Sequence, residues 1–249
     1  MILGMAISED WGPVTEDLLT RDLRIVQRKK GHRFSSDDIA TAYAAVTEAP
    51  AAERVLDLGC GIGSVLLHLA WCLPAARLVG IEAQTISFEI LKENLDRSGY
   101  RDRIEIQHGD LRALAVEPEF DLVTGTPPYF PPETASAALD PQRAYARIEY
   151  RGGIEDYVAA GAKALTPEGV LVLCGDARAE QRLEAAAQEV GLVVRTRTLI
   201  IAHAPKPPLF TVWALRRRPG PRVERALVLR DAEGRPAEGA ALLRRFSGF

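Results

Sequence analysis

The stretch VLDLGCGIGS, residues 55–64, joins an apolar run to three closely spaced glycines and then to a helical pattern. Gly59, Gly61 and Gly63 permit a tight turn and allow a ligand to approach the backbone closely. The dinucleotide fingerprint G-x-G-x-x-G does not fit, because its last glycine, counted from Gly59, would fall at Ser64. The stretch therefore predicts a strand, a ligand-binding loop and a helix, and it argues against a dinucleotide as the ligand.

Strand and helix patterns alternate along the chain from about residue 36 onward. Such alternation is typical of a parallel sheet with helices on both faces. Only HAPKPP, residues 203–208, separates the last two apolar runs, so the last strand is expected to run antiparallel. We predict an α/β fold with a seven-stranded, mostly parallel sheet and an antiparallel last strand. The predicted strands are residues 54–59, 76–82, 103–110, 120–125, 169–176, 191–202 and 209–217, and the predicted helices are residues 35–49, 64–72, 84–97, 154–165 and 179–190.

The composition is that of a globular protein with a large core. The chain has 249 residues, is 47% hydrophobic and carries a net charge of −3. This charge gives no general attraction to nucleic acid, so any such binding must come from local patches. We predict one domain over residues 1–218. Residues 219–249 are rich in Arg, Pro and Gly, and we predict that they form a C-terminal appendage.

The cysteines favour a cytoplasmic protein, and neither the histidines nor the N-terminus suggests a metal site or a signal peptide. The three cysteines share no short metal-binding spacing and the four histidines are scattered, so we predict no disulfide framework and no metal site. Residues 1–12 lack the basic region of a signal peptide. The apolar residues 58–76 contain glycines, His68 and Pro74, which favours a buried loop and helix over a membrane span. The oligomeric state is unknown from the sequence.

Three acids stand at or next to the ends of consecutive predicted strands. Asp57 precedes the glycines, Glu82 ends the second strand and Asp110 follows the third. In open α/β sheets, ligands bind at the carboxyl ends of the strands. Ordinary caps and turns would explain any one of these acids, but the combination with the glycines favours a ligand site.

The pattern D-x-G-x-G-x-G, residues 57–63, resembles the S-adenosylmethionine loop of class I methyltransferases. The resemblance implies a Rossmann-like fold and S-adenosylmethionine as cofactor. It also implies that Asp57 interacts with the methionine ammonium, Glu82 with the ribose hydroxyls and Asp110 with the adenine. The remaining residues implied to bind the cofactor are Gly59, Cys60, Gly61, Gly63, Ala83 and Leu111.

The stretch TPPY, residues 126–129, follows the fourth predicted strand without a helix start. Two prolines fix φ and hold the chain extended. The stretch resembles the N-P-P-Y motif of methyltransferases that act on amino groups of adenine, cytosine or glutamine. The resemblance implies that the Thr126 side chain and the Pro127 carbonyl accept the two hydrogens of the amine, that Pro128 keeps the backbone stiff, and that Tyr129 stacks on a base. The family usually has Asn where this chain has Thr126.

The flanking segments resemble the tRNA adenine-N6 methyltransferase family that modifies the base beside the anticodon of a valine tRNA. Upstream, Phe34 and Asp37 match best and are expected near the cofactor; downstream, Arg143 and Arg147 match the segment after the proline motif. The last predicted strand also matches, so the resemblance covers about residues 25–218. The residues expected to bind the RNA substrate are Lys29, Lys30, Arg33, Phe130, Arg143 and Arg147.

Two other functions stay open at this point. The same proline motif serves methylation of a protein glutamine, and Thr126 makes a non-catalytic S-adenosylmethionine-binding module conceivable. A solvated charged surface also competes with RNA contact as the interpretation of the basic residues around Lys29. The sequence favours an S-adenosylmethionine-dependent N-methyltransferase that acts on an adenine amino group in tRNA or another structured RNA.

Overall fold

A computed structural model of the chain describes residues 11–115, 117, 119–134 and 140–249. Residues 1–10, which hold most of the stretch predicted not to be a signal peptide, lie outside this part. The strands are β1 (Val14–Thr20), β2 (Leu23–Arg28), β3 (Arg54–Leu58), β4 (Arg77–Glu82), β5 (Ile104–His108), β6 (Phe120–Gly125), β7 (Leu165–Gly175), β8 (Val193–Ile201), β9 (Phe210–Arg216) and β10 (Val223–Val228). The helices are α1 (Ser36–Glu48), α2 (Ser64–Cys72), α3 (Thr85–Ser98), α4 (Pro141–Arg147), α5 (Ile154–Ala164), α6 (Glu180–Glu189) and α7 (Glu238–Phe246).

The main sheet has the order β10-β8-β9-β7-β6-β3-β4-β5. Strand β9 is antiparallel to both of its neighbours, and the other neighbouring pairs are parallel. The predicted α/β class and the antiparallel β9 are confirmed. The predicted count of seven strands was one short, because β10 adds an eighth at the edge beside β8. The sequence of β10, VERALV, lacks the buried apolar run of the central strands, because an edge strand stays partly exposed.

Alternation along the central strands builds a hydrophobic core on each face of the sheet. Val170 and Val172 of β7 join the cluster that holds the apolar residues of α1, α2 and α3. Leu171 and Leu173 join the opposite cluster, with the residues of α5 and α6. Strands buried on both faces are continuously apolar, which explains why this part of the fold was readable from sequence.

The two strands that precede α1 were not predicted. Strands β1 and β2 form an antiparallel hairpin before α1. Its backbone is tied to α3 by Asn94, which accepts from Val26 N at 2.6 Å and donates to Val26 O at 3.0 Å. The same amide donates to the carbonyl of Ile62 at 2.9 Å, so the hairpin and the glycine loop share one buried anchor.

Residues 219–249 contribute β10 and the helix α7. Helix α7 contacts both α1 and β10, and its Leu243 belongs to the core. The division of the chain at residue 218 stays a prediction. No helix in the described part of the chain has both the length and the apolar character required to cross a bilayer.

Candidate active site

The loop after β3 requires glycine for its backbone conformation and for the space around the backbone. Gly59, Gly61 and Gly63 have φ of 60°, 57° and 91°, a region that other residues rarely adopt. A Cβ on Gly61 would meet nothing within 4 Å, so this position faces open space. A Cβ on Gly63 would lie 2.6 Å from Leu91 Cδ1, so glycine leaves room for this side chain of α3 at the start of α2.

A cavity lies between the glycine loop and the carboxyl ends of β4, β5 and β6, and we call it the glycine-loop cavity. Most of the residues predicted to bind a cofactor line it, together with two residues of the proline motif. They are Phe34, Gly59, Cys60, Gly61, Glu82, Ala83, Asp110, Leu111, Thr126 and Pro128. The structure therefore brings these residues to one surface, as expected for strand ends in an open α/β sheet.

Glu82 is a buried acid in the wall of this cavity. Its side chain is buried, and its two oxygens accept hydrogen bonds from Gly61 N at 2.8 Å and Gln84 N at 2.6 Å. Burial raises the pKa of Glu82, and these hydrogen bonds oppose the rise. Each carboxylate oxygen has a second lone pair available for a ligand hydroxyl.

Asp110 lines the same cavity, but its carboxylate is paired with an arginine. Its carboxylate accepts from Arg112 Nη2 at 2.6 Å and from Arg112 N at 2.9 Å, and it caps a short turn. The hydrogen bonds from Arg112 lower the pKa of Asp110. Asp110 is thus an ion-paired carboxylate in the cavity wall.

Asp57 does not line the glycine-loop cavity. It lies on the face of β3 that carries Val55, is 2% exposed, and accepts from Thr124 Oγ1 at 2.7 Å. Besides Glu82 and Asp110, the cavity is lined by Asp38 of α1, which was not predicted. Asp38 accepts from Ser64 Oγ at 2.7 Å, so it stands at the start of the helix that follows the glycines. The direct ligand contact expected of Asp57 is available to Asp38 instead.

We expect the ligand-free protein to lose stability as the pH rises from about 6 to about 8, and the Asp57→Asn variant to lose less. Burial raises the pKa of Asp57 and of Asp38 to about 7, above the 3.8 of an unperturbed aspartate. Between the unfolded pKa of 3.8 and the folded pKa of about 7, the folded state retains protons that the unfolded chain releases, so stability falls as the pH rises through this range. The last part of the fall lies between about pH 6 and 8, and at higher pH these groups contribute no further change.

In thermal and denaturant melts, the stability difference between these two pH values should be smaller by about 1 kcal/mol in Asp57→Asn. The negative charge of Asp57 also raises the pKa of Asp38, so the variant reduces both contributions. Equal pH slopes in wild type and variant would contradict this account.

A second cavity of about 590 Å³ adjoins the proline motif, and we call it the proline-motif cavity. The residues predicted to bind the substrate line it, and Asp37, predicted for the cofactor, lies here as well. The predicted residues in its wall are Lys29, Lys30, Arg33, Asp37, Thr126, Pro127, Tyr129, Phe130, Arg143 and Arg147. Successive residues of the extended motif face different cavities, with Pro127 and Tyr129 on this side and Pro128 on the other.

The two cavities share part of their walls. Thr126, His32, Asp38 and Ala146 line both of them. Thr126 directly follows Gly125, the last residue of β6, so the sheet itself positions this shared wall. A ligand in one cavity therefore lies next to a ligand in the other.

Tyr129 is held at both its backbone and its hydroxyl. Its backbone N and that of Phe130 donate to the carbonyl of Arg147 at 3.1 and 3.0 Å, which ties the motif to the end of α4. The Tyr129 hydroxyl lies 3.2 Å from Asp37 Oδ2 and 2.8 Å from Cys174 Sγ. The ring orientation is thus fixed by contacts beyond the proline backbone.

The basic residues around the proline-motif cavity differ in how they are engaged. Arg33 pairs with Asp17 at 3.0 Å. Lys29 and Lys30 are exposed, and among the described residues they form no ion pair. The guanidinium of Arg147 lies 5.4 Å from the centroid of the Phe130 ring. Arg143 is likewise exposed and forms no ion pair among the described residues, so it and the two lysines are available to an external anion.

Further lining residues were missed because their elements were not predicted. Tyr145 on α4 and Arg151 after it line the glycine-loop cavity, with the Arg151 guanidinium 4.4 Å from the Tyr145 ring centroid. Asp140 and Pro141, a cap residue followed by proline, were the available signal for α4. Among the described residues no cluster of His, Cys, Asp or Glu is suited to hold a metal ion.

Comparisons with known proteins agree with this geometry. The family model described as a methyltransferase domain matches residues 55–147, which include the glycine loop and the proline motif. A solved structure of a predicted O-methyltransferase from Agrobacterium tumefaciens superposes with a TM-score of 0.64 at 19% identity, over 86% of this chain and 97% of that one. This structural similarity confirms the Rossmann-like methyltransferase fold.

Two curated relatives carry the same name, tRNA1(Val) (adenine(37)-N6)-methyltransferase. The relative from Porphyromonas gingivalis is 32% identical over 168 residues, or 65% of each chain, so the match spans just under two thirds of that relative's length. The relative from Tolumonas auensis is 30% identical over 194 residues, covering 76% of this chain and 79% of the relative. The chain therefore belongs to the family of tRNA1(Val) (adenine(37)-N6)-methyltransferases.

Proposed function

We propose that the protein transfers a methyl group from S-adenosylmethionine to the N6 amino group of an adenine in tRNA. The observation that carries this proposal is the shared wall at Thr126, which borders both the glycine-loop cavity and the proline-motif cavity. Methyl transfer requires that donor and acceptor be held next to each other. Family membership favours an RNA adenine over the protein glutamine that the proline motif alone would also allow.

The glycine-loop cavity fits S-adenosylmethionine. Gly61 presents bare backbone to open space, and Glu82 offers lone pairs on two fixed oxygens for a pair of hydroxyls. Asp38 supplies a buried carboxylate that suits an ammonium group. When bound, S-adenosylmethionine supplies an electrophilic methyl group on a sulfonium.

The proline motif fits an adenine amine. The amine is a weak nucleophile because its lone pair is delocalised into the ring. In our proposal, the Thr126 hydroxyl and the Pro127 carbonyl accept its two hydrogens, which localises the lone pair and stabilises the developing positive charge. The Tyr129 ring, fixed through Asp37 and Cys174, provides a stacking surface for the base.

The rim of the proline-motif cavity fits an RNA backbone despite the net charge of −3. Lys29, Lys30, Arg143 and Arg147 all line this cavity and concentrate positive charge around its opening. Such a local patch binds phosphates without any global basic charge. A cytoplasmic location, where tRNA is available, is part of the proposal and is consistent with the three free cysteines.

The decisive experiment combines the purified protein, radiolabelled S-adenosylmethionine and transcribed valine tRNA. After digestion to nucleosides, the label should co-migrate with N6-methyladenosine. Replacement of adenine 37, the position in the relatives' name, should abolish incorporation. Label that resists nuclease, or no label with any tRNA, would overturn the proposal.

The Lys29→Ala/Lys30→Ala double variant serves as an internal control for the substrate side. It should raise the tRNA concentration needed for half-maximal rate and flatten the salt dependence, because phosphate contacts release counterions. Its affinity for S-adenosylmethionine should not change, since neither lysine lines the glycine-loop cavity.

A further inference from the structure

Tyr157 is a buried residue of the glycine-loop cavity to which neither the glycine loop nor the proline motif gives a role. It lies on α5, is 7% exposed, and lines the cavity. Nothing in its sequence context distinguishes it from a core residue of an amphipathic helix.

Two glycines make room for this side chain. A Cβ on Gly125 would lie 2.6 Å from Tyr157 Cδ1, and a Cβ on Gly59 would overlap the Tyr157 hydroxyl. Gly59 opens the glycine loop and Gly125 immediately precedes Thr126. The ring therefore lies across the ends of β3 and β6, between the glycine loop and the shared wall.

The hydroxyl at the end of this ring is without a partner. Among the described residues, no side chain or backbone group forms a hydrogen bond with the Tyr157 hydroxyl. Burial raises the pKa of Tyr157, and the negative charges of Glu82 and Asp57 raise it further, so the phenol stays protonated. A neutral phenol both donates and accepts hydrogen bonds. The hydroxyl oxygen is not among the fully buried atoms without a partner, so it keeps access to the cavity and is available to a ligand there. Phenylalanine would fill the same ring space without offering this group.

We propose that Tyr157 is a binding residue for the methyl donor, and that its hydroxyl completes its hydrogen bonding with the ligand of the glycine-loop cavity. This inference rests on the proposed function, because it takes S-adenosylmethionine or its demethylated product as that ligand. The hydroxyl makes the contact with the ligand, and Gly59 and Gly125 leave space for the ring that carries it.

The test is calorimetry with S-adenosylhomocysteine on wild type and Tyr157→Phe, with melting temperatures of the ligand-free proteins. The variant should bind about 5- to 10-fold more weakly, the loss expected for one neutral hydrogen bond. Its ligand-free melting temperature should not fall, because the hydroxyl has no partner to lose. Tyr43→Phe makes the same atomic change on α1, outside both cavities, and should leave affinity unchanged.

The outcomes separate this inference from the proposed function. If wild type fails to bind S-adenosylhomocysteine, the proposed function fails. If wild type binds and Tyr157→Phe binds equally well, the inference about Tyr157 is overturned while the proposed function stands. A loss of affinity accompanied by a lower ligand-free melting temperature would also overturn it, since the hydroxyl would then be structural.

Discussion

Tyr129→Ala is expected to lower the single-turnover rate of methyl transfer by about 100-fold while leaving affinity for S-adenosylhomocysteine unchanged. The ring lines the proline-motif cavity and does not line the glycine-loop cavity. Loss of base stacking costs about 1–3 kcal/mol, and the base also loses its fixed orientation beside Thr126. Rapid-quench measurements at saturating tRNA separate this effect on the transfer step from weaker RNA binding.

Tyr129→Phe is the matched control. It keeps the stacking face but removes the hydroxyl that contacts Asp37 at 3.2 Å and Cys174 at 2.8 Å. We expect an intermediate loss of roughly 10-fold, because the ring remains but one of its anchors is lost. If Tyr129→Ala transferred the methyl group as fast as wild type, Tyr129 could not be the surface that holds the base.

Glu82→Ala should weaken the binding of S-adenosylhomocysteine by about 100-fold, as measured by calorimetry. The variant removes the acceptor for Gly61 N and Gln84 N, so two backbone donors at the cavity lose their partner. It also removes the oxygens proposed to accept the ribose hydroxyls. Hydrogen bonds to a charged group are each worth about 1.5–3 kcal/mol, more than neutral ones.

Glu82→Gln controls for the shape of the side chain. Its amide keeps one acceptor oxygen and replaces the other with a donor, so we expect a loss between wild type and Glu82→Ala. Melting temperatures of all three proteins show whether the loop still folds. Unchanged affinity in a folded Glu82→Ala would move the ribose site away from the end of β4.

The central part of the fold could be predicted from the sequence because its strands are buried on both faces of the sheet. Runs such as residues 170–174 of β7 are apolar throughout and are separated by amphipathic helices, so pattern alone predicted seven strands of the main sheet. The edge strand β10 and the first hairpin strand β1 each carry two adjacent charged residues, which interrupt an apolar strand pattern. The helix α4 has only seven residues, too few to show a clear helical period. These elements depend on tertiary contacts that a local pattern does not contain.

In the candidate site, too, some residues could be predicted from the local sequence pattern and others depend on tertiary contacts. Strand-end positions such as Glu82 and Thr126 reach a cavity because the sheet fixes where strands end. Asp57 lies within β3, where alternation turns its side chain towards Thr124 instead. Asp38 takes its place at the cavity only because α1 begins beside Ser64, a contact between segments distant in sequence.

The wall common to both cavities has a thermodynamic consequence. If a ligand in one cavity displaces Thr126 or Ala146, it changes the affinity of the other cavity for its own ligand. The second ligand then changes the affinity for the first by the same factor. Because the factor is the same in both directions, the coupling does not favour either ligand as the first to bind. An order of binding, if kinetics reveal one, must then originate in the separate affinities and rates of tRNA and the methyl donor rather than in their coupling.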